Sequence, residues 1–451
     1  MTKNMTEGKP YKVLLGFILP TIFGLLFQQM YNIVDSAIVG KLLGLDSLAA
    51  VGATGSIIFL IIGFTNGICS GFSIPIAQRF GARDEEGLRK FVGNSAVLAI
   101  GIGAVVTILA CMFCEGILIA MGTPSDIIDL SYSYLIVIFA GIPATILYNL
   151  LSGYIKALGD AKTPVYFLVF ASVLNIGLDL LFITVFKVGV RGAALATIIS
   201  QLVSGLSCLF FIMKKFEILR LKKSDFTLNK GFVNKLLFLG VPMGLQYSIT
   251  AIGSVMLQTS VNTLGSVAVG AITAGSKIQM LMATPFDSSG MAMATYGGQN
   301  VGAGRIDRLG KGLRDCVIIN TIYCVFAFFF IMFFAKGLLR IFLNKEEVEV
   351  INMAYRFLRI NSALYIFLAL VNIVRFYIQG MGHSAFAIIA GVMEMIGRTF
   401  VGLVIVPIFG FVGACFGNPI AWFAADCFLI PAYFIVVKKI KKQHDNYVKS
   451  A

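Results

Sequence analysis

Long apolar runs constrain the fold of this chain more than any other feature of its sequence. A helix needs about 20 mostly apolar residues to cross a bilayer, and roughly a dozen runs meet that length. The first predicted span is 13–40, the fourth 130–153, the tenth 352–379 and the last 412–437. Because 58% of the 451 residues are hydrophobic and only 13% are charged, a soluble core cannot hide the apolar surface.

These runs predict helices rather than membrane-spanning strands. The strands of a membrane barrel alternate apolar and polar residues over about 10 positions, whereas these runs are apolar nearly all round. A helix also satisfies its backbone hydrogen bonds within one segment, as contact with lipid requires. We therefore expect an all-α polytopic membrane protein with 12 transmembrane helices.

The positive charge of the chain is concentrated in its polar loops. The formal net charge is +14, with 36 Lys and Arg against 22 Asp and Glu. With the N-terminus inside, the cytoplasmic segments collect 25 of the 36 basic residues and the external loops only six. Cytoplasmic loops of membrane proteins carry this bias. We expect a multi-pass protein of the plasma (inner) membrane, embedded in the lipid bilayer with both termini cytoplasmic, and no nucleic-acid partner.

The sequence repeats itself at a nearly constant offset of 221–223 residues. Each half holds six predicted spans, an even number, so both halves enter the membrane from the same side. We expect two six-helix bundles related by a pseudo-two-fold axis along the membrane normal. The matching motifs are QRFGA at 78–82 with QNVGA at 299–303, YIKALG at 154–159 with YIQGMG at 377–382, and GVRGA at 189–193 with GFVGA at 410–414.

The repeat also predicts how the chain is divided. Two bundles joined by one linker are typical of transporters that rock one bundle against the other. The predicted parts are a cytoplasmic N-terminal tail at 1–12, a six-helix bundle at 13–213, a charged cytoplasmic linker at 214–235, a second six-helix bundle at 236–437 and a basic cytoplasmic tail at 438–451.

One acid interrupts the first apolar run. Asp35 lies in QQMYNIVDSAIVG at 28–40, and a charge in the middle of a span costs about 2.5–3.5 kcal/mol on insertion scales. Tyr31 and Gln28, four and seven residues before it, share its helical face, and Asn32 lies close to that face. Acids within a membrane usually face a cavity or a partner. We therefore expect this polar stripe to look into the N-terminal bundle.

A second polar stripe lies in the fifth predicted span, SVLNIGLDLLFI. Asn175 and Asp179 are four residues apart and share a helical face. Thr197 lies in the sixth span, and Tyr134 in the fourth offers a further interior hydroxyl. Two carboxylates, an amide and a hydroxyl are hard oxygen ligands, which suit a small cation or a proton. The alternative is that Asp179 caps or bridges helices near the outer surface.

Together these motifs resemble the multidrug and toxic compound extrusion (MATE) transporters, in the branch that has a first-helix aspartate. The resemblance covers nearly the whole chain and rests on the duplicated layout, YNIVD, NxxxD in the fifth span, QxxGA at both second-span ends and KALGDAKTP. Members of this family are antiporters that export organic cations and other drugs, driven by Na⁺ or H⁺. The resemblance implies a coupling site for this ion at Asp35, Asn175, Asp179 and Thr197, with Tyr134 as a cavity residue.

The second half carries a different set of intramembrane charges. The seventh predicted span has no acid, although some MATE relatives have one there. The remaining candidates for the cavity are Lys277, Asp287, Glu394 and Arg398. Glu394 and Arg398 are four residues apart and are expected to pair on one helix. Lys277 and Asp287 lie about 15 Å apart along a helix, so each needs a partner from another helix. Asp426 has no partner in its own helix.

The leading hypothesis is a secondary active efflux transporter, a monomer that exchanges a cationic, amphiphilic small molecule for Na⁺ or H⁺ by alternating access. The alternative is a flippase for a lipid-linked oligosaccharide, which needs a strongly cationic cavity. A channel is a further alternative, although no repeated filter-like loop is visible in the sequence. An enzyme is not expected, since neither histidine lies deep within a span. No metal or organic cofactor is expected, since the one CxxC, Cys111 with Cys114, has no matching second pair.

Overall fold

The computed structural model describes residues 4–341 and 347–450, and within them every regular element is helical. The first half of the chain forms α1 Pro10–Leu43, α2 Leu45–Gly81, α3 Glu85–Met112, α4 Cys114–Ala120, α5 Ile128–Ala140, α6 Ile142–Ala157, α7 Lys162–Leu180 and α8 Val190–Lys215. The second half forms α9 Lys230–Asn262, α10 Ser266–Gly302, α11 Asp307–Leu339, α12 Val348–Ala363, α13 Tyr365–Gly380, α14 Ala385–Phe400, α15 Val406–Cys415 and α16 Gly417–Ser450.

Two compact units divide the chain. The N-terminal unit contains Phe23–Ser248, and the C-terminal unit contains Met5–Ile22 and Ile249–Ala451. Two helices therefore belong to both units, because α1 passes from one to the other after Ile22 and α9 does so after Ser248. The N-terminal unit packs around a core of buried aromatic and aliphatic side chains that includes Phe72, Phe91, Phe139 and Tyr154.

The described helices account for the predicted spans. Ten are long and apolar enough to cross a membrane, and two bent pairs raise the number of spans to as many as 12. The fourth and tenth spans, predicted as single runs, are the bent pairs: α5 and α6 meet at 46°, and α12 and α13 at 52°. In the first pair Pro143 stands at the start of α6, where proline lacks the N–H that would continue the helix. The all-α class and the twelve spans are confirmed.

The sequence repeat reappears in the backbone. A single turn of π-helix follows α7 at Leu181–Val185, and another follows α14 at Val401–Ile405. The motifs YIKALG and YIQGMG both end on a left-handed glycine, Gly159 with φ 82° and Gly382 with φ 93°. Glycine reaches this region without the steric cost that a Cβ imposes. The repeat thus conserves the places where the backbone leaves regular α geometry.

The loops and tails differ in detail from their predicted limits. Because α8 ends at Lys215 and α9 begins at Lys230, the connection between them is shorter than the predicted linker at 214–235. It contains two short 3₁₀ helices, Glu217–Leu219 and Lys223–Phe226. Asn94 of α3 holds this connection, donating to the Asp225 and Thr227 carbonyl oxygens at 3.3 and 3.2 Å. The predicted tails at 1–12 and 438–451 lie partly outside the described residues. Within them, α1 begins at Pro10 and α16 continues to Ser450.

Candidate functional site

Two acids from different helices meet inside the N-terminal unit. Asp35 of α1 and Asp179 of α7 face each other within hydrogen-bonding reach, and we call them the acid pair. Asp179 is fully buried, whereas Asp35 is half-buried. Among the described residues, the Oδ1 atom of each acid has no hydrogen-bond partner. Two carboxyl groups at this distance share a hydrogen bond only if one of them is protonated, because ionised carboxylates only accept.

The Asn175 amide holds Asp179 in place and is itself held by a backbone N–H. With the Asn175 amide oriented to satisfy both of its ends, its nitrogen donates to Asp179 Oδ2 at 3.2 Å and its oxygen accepts from the Thr197 N–H at 3.1 Å. The opposite orientation offers only the Thr197 hydroxyl at 3.5 Å, the longer and weaker contact, and the network therefore decides the assignment. The Thr197 hydroxyl donates to the Ala193 carbonyl at 3.1 Å. Residues from α7 and α8 thus fix the geometry around one acid.

Two tyrosines complete the surroundings of the acid pair. Tyr31 precedes Asp35 by one turn of α1, and the buried Tyr134 comes from α5. Both phenols lie within electrostatic range of both carboxyl groups. Asp179 also lies two residues before the π turn at Leu181–Val185, and such turns are frequent at functional sites. Side chains from α1, α5, α7 and α8 therefore converge on one point, as the two sequence stripes predict.

A small polar pocket of about 20 Å³ lies against this point, with room for about one water molecule or one small cation. Its polar lining includes Gln28, Tyr31, Asn175, Thr197, Ser200 and Gln201. No Lys or Arg side chain lines the pocket. The Ser200 hydroxyl and the Gln201 amide oxygen have no hydrogen-bond partner among the described residues. The pocket therefore offers uncommitted oxygen atoms next to a carboxyl pair.

Asn32 does not belong to this group, although the sequence places it close to the polar face. Its side chain is exposed and its amide donates to Gln29 Oε1 at 3.4 Å. One residue along a helix of 3.6 residues per turn is a rotation of about 100°. That rotation turns Asn32 away from the direction that Tyr31 takes into the pocket.

The charged candidates of the second half lie in the C-terminal unit. Glu394 and Arg398 of α14 pair as predicted, with 3.3 Å between Glu394 Oε2 and Arg398 Nη2. A second arginine, Arg375 of α13, contacts Glu394 Oε1 through Nη1 at 2.7 Å. We call Arg375, Glu394 and Arg398 the ion-pair cluster. Lys277 and Asp287 of α10 are both exposed, and Arg375 is the charged group that acts on Asp287.

Two parts of the arrangement were not predicted from the sequence. Ser200 and Gln201 follow Thr197 by three and four residues, so the 3.6-residue period would have placed them on the same face of α8. Arg375 is nineteen residues from Glu394 on another helix, and no periodicity within one helix reveals such a partner.

The sequence matches the family model MatE in two stretches, at 20–181 and 242–421. The chain belongs to the MatE family. The two matched stretches correspond to the two repeats, and together they cover most of the chain. Members of this family are transporters rather than enzymes, and the family and its apolar helices make this chain a multi-pass membrane protein.

Relatives of this MatE chain are similar over nearly their whole length. The probable multidrug resistance protein YoeA of Bacillus subtilis (strain 168) is 29% identical over 98% of this chain and 97% of its own. The probable multidrug resistance protein YpnP of the same organism is 30% identical over 86% of this chain and 85% of its own. Among solved structures, an outward-facing multidrug resistance MATE transporter superposes with a TM-score of 0.91 at 25% identity, covering 97% of this chain and 98% of that one.

Proposed function

We propose that this chain is a secondary active antiporter that exports organic cations and drugs in exchange for Na⁺ or H⁺ by alternating access. The observation that carries the proposal is the acid pair of Asp35 and Asp179, set beside a polar pocket that has no basic side chain. The names of the relatives YoeA and YpnP as probable multidrug resistance proteins support the same class of cargo.

The acid pair suits a small exchangeable cation. Two ionised carboxylates at hydrogen-bonding distance repel strongly in a medium of low dielectric constant. One proton shared between them removes that repulsion, and so does a cation bound to their oxygen atoms. Each acid keeps one unpartnered oxygen, and the Thr197 hydroxyl lies nearby in the same pocket lining. Hard oxygen donors of this kind suit a small hard cation such as Na⁺, and the carboxylates among them also accept a proton.

The position of the pocket explains how exchange would follow. Gln28, Tyr31, Asn175 and Thr197 line it next to the acids, so a positive charge brought to the pocket lies close to the carboxyl pair. A bound organic cation stabilises the doubly ionised acids, and a bound proton or Na⁺ removes the charge that attracts the organic cation. Ligands that prefer opposite charge states of one group oppose each other's binding by the same factor. This mutual exclusion is the requirement for antiport.

The remaining features of the proposal come from the charge pattern and from the composition of the site. All four coupling residues, Asp35, Asn175, Asp179 and Thr197, lie in one unit of one chain, which supports a monomer as the working form. The bias of basic residues supports cytoplasmic termini and a place in the plasma membrane. A flippase for lipid-linked oligosaccharides would instead need basic side chains in the pocket to bind phosphate.

The proposal is tested with the purified chain in liposomes that contain a fluorescent organic cation such as ethidium. A Na⁺ gradient and a pH gradient are imposed in separate experiments, each with an ionophore that dissipates it as the control. We expect one of the two gradients to drive uphill movement of ethidium and its ionophore to abolish that movement. Equal, purely downhill movement under both gradients would contradict coupled antiport. Protein-dependent transfer of a labelled lipid-linked oligosaccharide, without ethidium transport, would establish the flippase instead.

A further inference from the structure

A second cavity of the N-terminal unit lies apart from the acid pair and its polar pocket. Its volume is about 740 Å³, several times the roughly 150 Å³ of an apolar protein cavity that binds benzene. We call it the linker groove, and its lining comes from 92–104 of α3, 143–154 of α6, 209–213 of α8 and 219–226 of the connection that follows α8. The two cavities share no lining residue and are therefore separate.

The lining of the linker groove is apolar apart from two residues, Tyr154 and Arg220. The Tyr154 hydroxyl is already bonded to the Ser95 hydroxyl at 2.6 Å, and Ser95 is not part of the lining. No acid lines the groove among the residues that the structure describes. A surface of this kind offers no carboxylate to a cationic molecule, whereas it favours a hydrocarbon chain, because apolar contacts replace water there.

The groove is buried at its floor and exposed at its rim. α6 packs on both α3 and α8, and its Ile146 and Leu151 are no more than 8% exposed. Ile100 of α3 and Met213 of α8, in contrast, are 75% and 64% exposed. Large apolar side chains that stay exposed in a membrane-spanning helix mark a surface for contact with lipid. The open side of the groove is therefore available to the hydrocarbon chains of the bilayer.

The groove has about the length of one membrane leaflet. From Val92 to Ala104 the axis of α3 rises by about 18 Å, and half of the hydrocarbon core of a bilayer is about 15 Å thick. Along this face of α3, Ala96, Ala99 and Gly103 follow one another at spacings of three and four residues, so small side chains leave the middle of the groove open. The groove thus has the depth that one acyl chain spans.

The end of the groove at the connection is basic. Five Lys and Arg oppose two acids within 214–226. One of these acids, Asp225, is buried and accepts from the Lys222 N–H at 2.8 Å. The other, Glu217, approaches Arg220 only to 3.7 Å, and both side chains are more than half exposed, so solvent screens this contact. The Arg220 guanidinium therefore keeps donors for an anion at the end of the groove.

The connection is held in place at this end. Asn94 of α3 accepts from the Asn229 N–H at 3.0 Å, and a Cβ at the neighbouring Gly93 would meet the Asp225 carbonyl oxygen. These contacts fix a basic segment at one end of an apolar groove. The combination matches the two parts of a phospholipid, a charged phosphate and an apolar chain, and basic clusters just outside a span attract anionic lipids.

We propose that the linker groove binds one anionic phospholipid of the leaflet next to the connection, with an acyl chain along α3 and α6 and its phosphate at Arg220. The charge bias of the loops puts this leaflet on the cytoplasmic side, where anionic lipids are found. The bound lipid contacts three helices and the connection at once, so it stabilises their packing. The site excludes the acid pair and does not depend on the proposed antiport.

Mass spectrometry of the intact, delipidated protein in detergent tests the headgroup, because each bound lipid adds its own mass. The probes are phosphatidylglycerol and phosphatidylcholine with identical acyl chains. We expect one phosphatidylglycerol to be retained at concentrations at which phosphatidylcholine is not. Arg220→Gln should weaken this retention by about tenfold through loss of a charge-assisted contact, and Arg220→Lys should restore most of it. The matched control, Arg340→Gln at the exposed residue after α11, leaves retention unchanged.

A second pair of variants tests the acyl chain. Ala96→Phe fills the groove, whereas Val97→Phe adds a ring at the next residue of α3, outside the lining. We expect Ala96→Phe to lose the retained phosphatidylglycerol and Val97→Phe to keep it, and cooperative thermal unfolding of the lipid-free proteins checks that both fold.

Three results would overturn the inference. The first is equal retention of the two lipids, and the second is retention that neither Arg220→Gln nor Ala96→Phe reduces. The third is displacement of the lipid by tetraphenylphosphonium, since the groove would then belong to a cationic cargo. None of these readouts involves transport, so failure here is distinct from failure of export in liposomes.

Discussion

The acid pair of the N-terminal unit and the ion-pair cluster of the C-terminal unit lie in repeats that share their helix order but differ in chemistry. In the first, two carboxyl groups face each other with an amide and a hydroxyl nearby. In the second, one carboxylate joins two arginines. The first group has no fixed positive charge and must acquire one, whereas the second carries two of its own.

The repeat preserves backbone and not side-chain chemistry. The π turns and the left-handed glycines recur one repeat length apart. The acids do not recur: 222 residues after Asp35 stands Leu257, and 221 residues after Asp179 stands Phe400. Thr197 corresponds at the same offset of 221 to Asn418, which accepts from Arg398. A duplicated fold has thus kept its geometry while its two copies acquired different sets of charges.

The largest expected effect on stability concerns the ion-pair cluster. Glu394→Gln keeps the shape of the side chain but leaves two buried guanidinium groups without their shared acid. Breaking a buried pair by removing one partner costs about 3–5 kcal/mol. We expect a marked fall in the midpoint of thermal unfolding in detergent. The matched control is Glu349→Gln on the exposed face of α12, which should leave the midpoint unchanged; equal midpoints for both variants would show that the cluster contributes no stability.

The acid pair should behave in the opposite way. Asp179→Asn removes a repulsive charge and keeps the side-chain shape, so we expect a folded protein that is at least as stable as the native chain. Its coupled transport should fall by about tenfold or more, which corresponds to a coupling of about 1.4 kcal/mol. If the two acids form one site, adding Asp35→Asn makes transport little worse than either single change. Transport rates and unfolding midpoints of the two single variants and the double variant test this, and losses that multiply would mean two independent sites.

The smallest expected effect is a difference in stability between two variants at the equivalent N-terminal ends of α3 and α11. Asp84 caps α3 by accepting from the Gly87 N–H at 2.8 Å, whereas Ile306 stands at the same point of α11 without a side-chain cap. Asp84→Ala should cost about 1 kcal/mol, and Asp307→Ala, which removes a carboxylate bonded to Arg305, should cost less. Unfolding midpoints of the two variants measured at neutral pH test the difference.

The pH dependence of that difference has a definite sign. The Gly87 N–H lowers the pKa of Asp84, partial burial opposes this shift, and the Arg79 side chain adds to it. A carboxyl group with a lowered pKa stabilises the fold above its ordinary pKa of about 3.9 and loses that contribution as the pH falls through its folded value. The gap between the native chain and Asp84→Ala should therefore close in acid, and a gap that persists there would contradict the carboxylate cap.

Much of the fold and part of the candidate site could be predicted from the sequence. Spans follow from apolar length, and the stripes at Gln28, Tyr31 and Asp35 and at Asn175 and Asp179 follow from helical period, since each depends on neighbours within one helix. Apolar composition continues across Gly141 and Leu364, where the fourth and tenth spans break, and so does not predict where the helices end.

Contacts between side chains of different helices could not be predicted from the sequence either. Arg375 pairs with Glu394 from another helix, and both carboxylate oxygens of Asp426 have no hydrogen-bond partner among the described residues. Such relations depend on how helices pack and which way each side chain turns, and no spacing within one segment encodes them. Asn32 is the converse case, since a residue adjacent in sequence to the polar stripe turned out to face away from it.

The central claim is that Asp35 couples transport to an ion because its charge can change. Asp35→Asn keeps the size of the side chain and mimics the protonated acid but cannot ionise. The matched control, Asp46→Asn, removes an exposed carboxylate in the same unit. Both variants are reconstituted beside the native chain, and gradient-driven ethidium export is measured under Na⁺ and pH gradients. The account predicts that Asp46→Asn exports at the native rate and that Asp35→Asn responds to neither gradient; native-rate export by Asp35→Asn, with unchanged responses to both gradients, would contradict it.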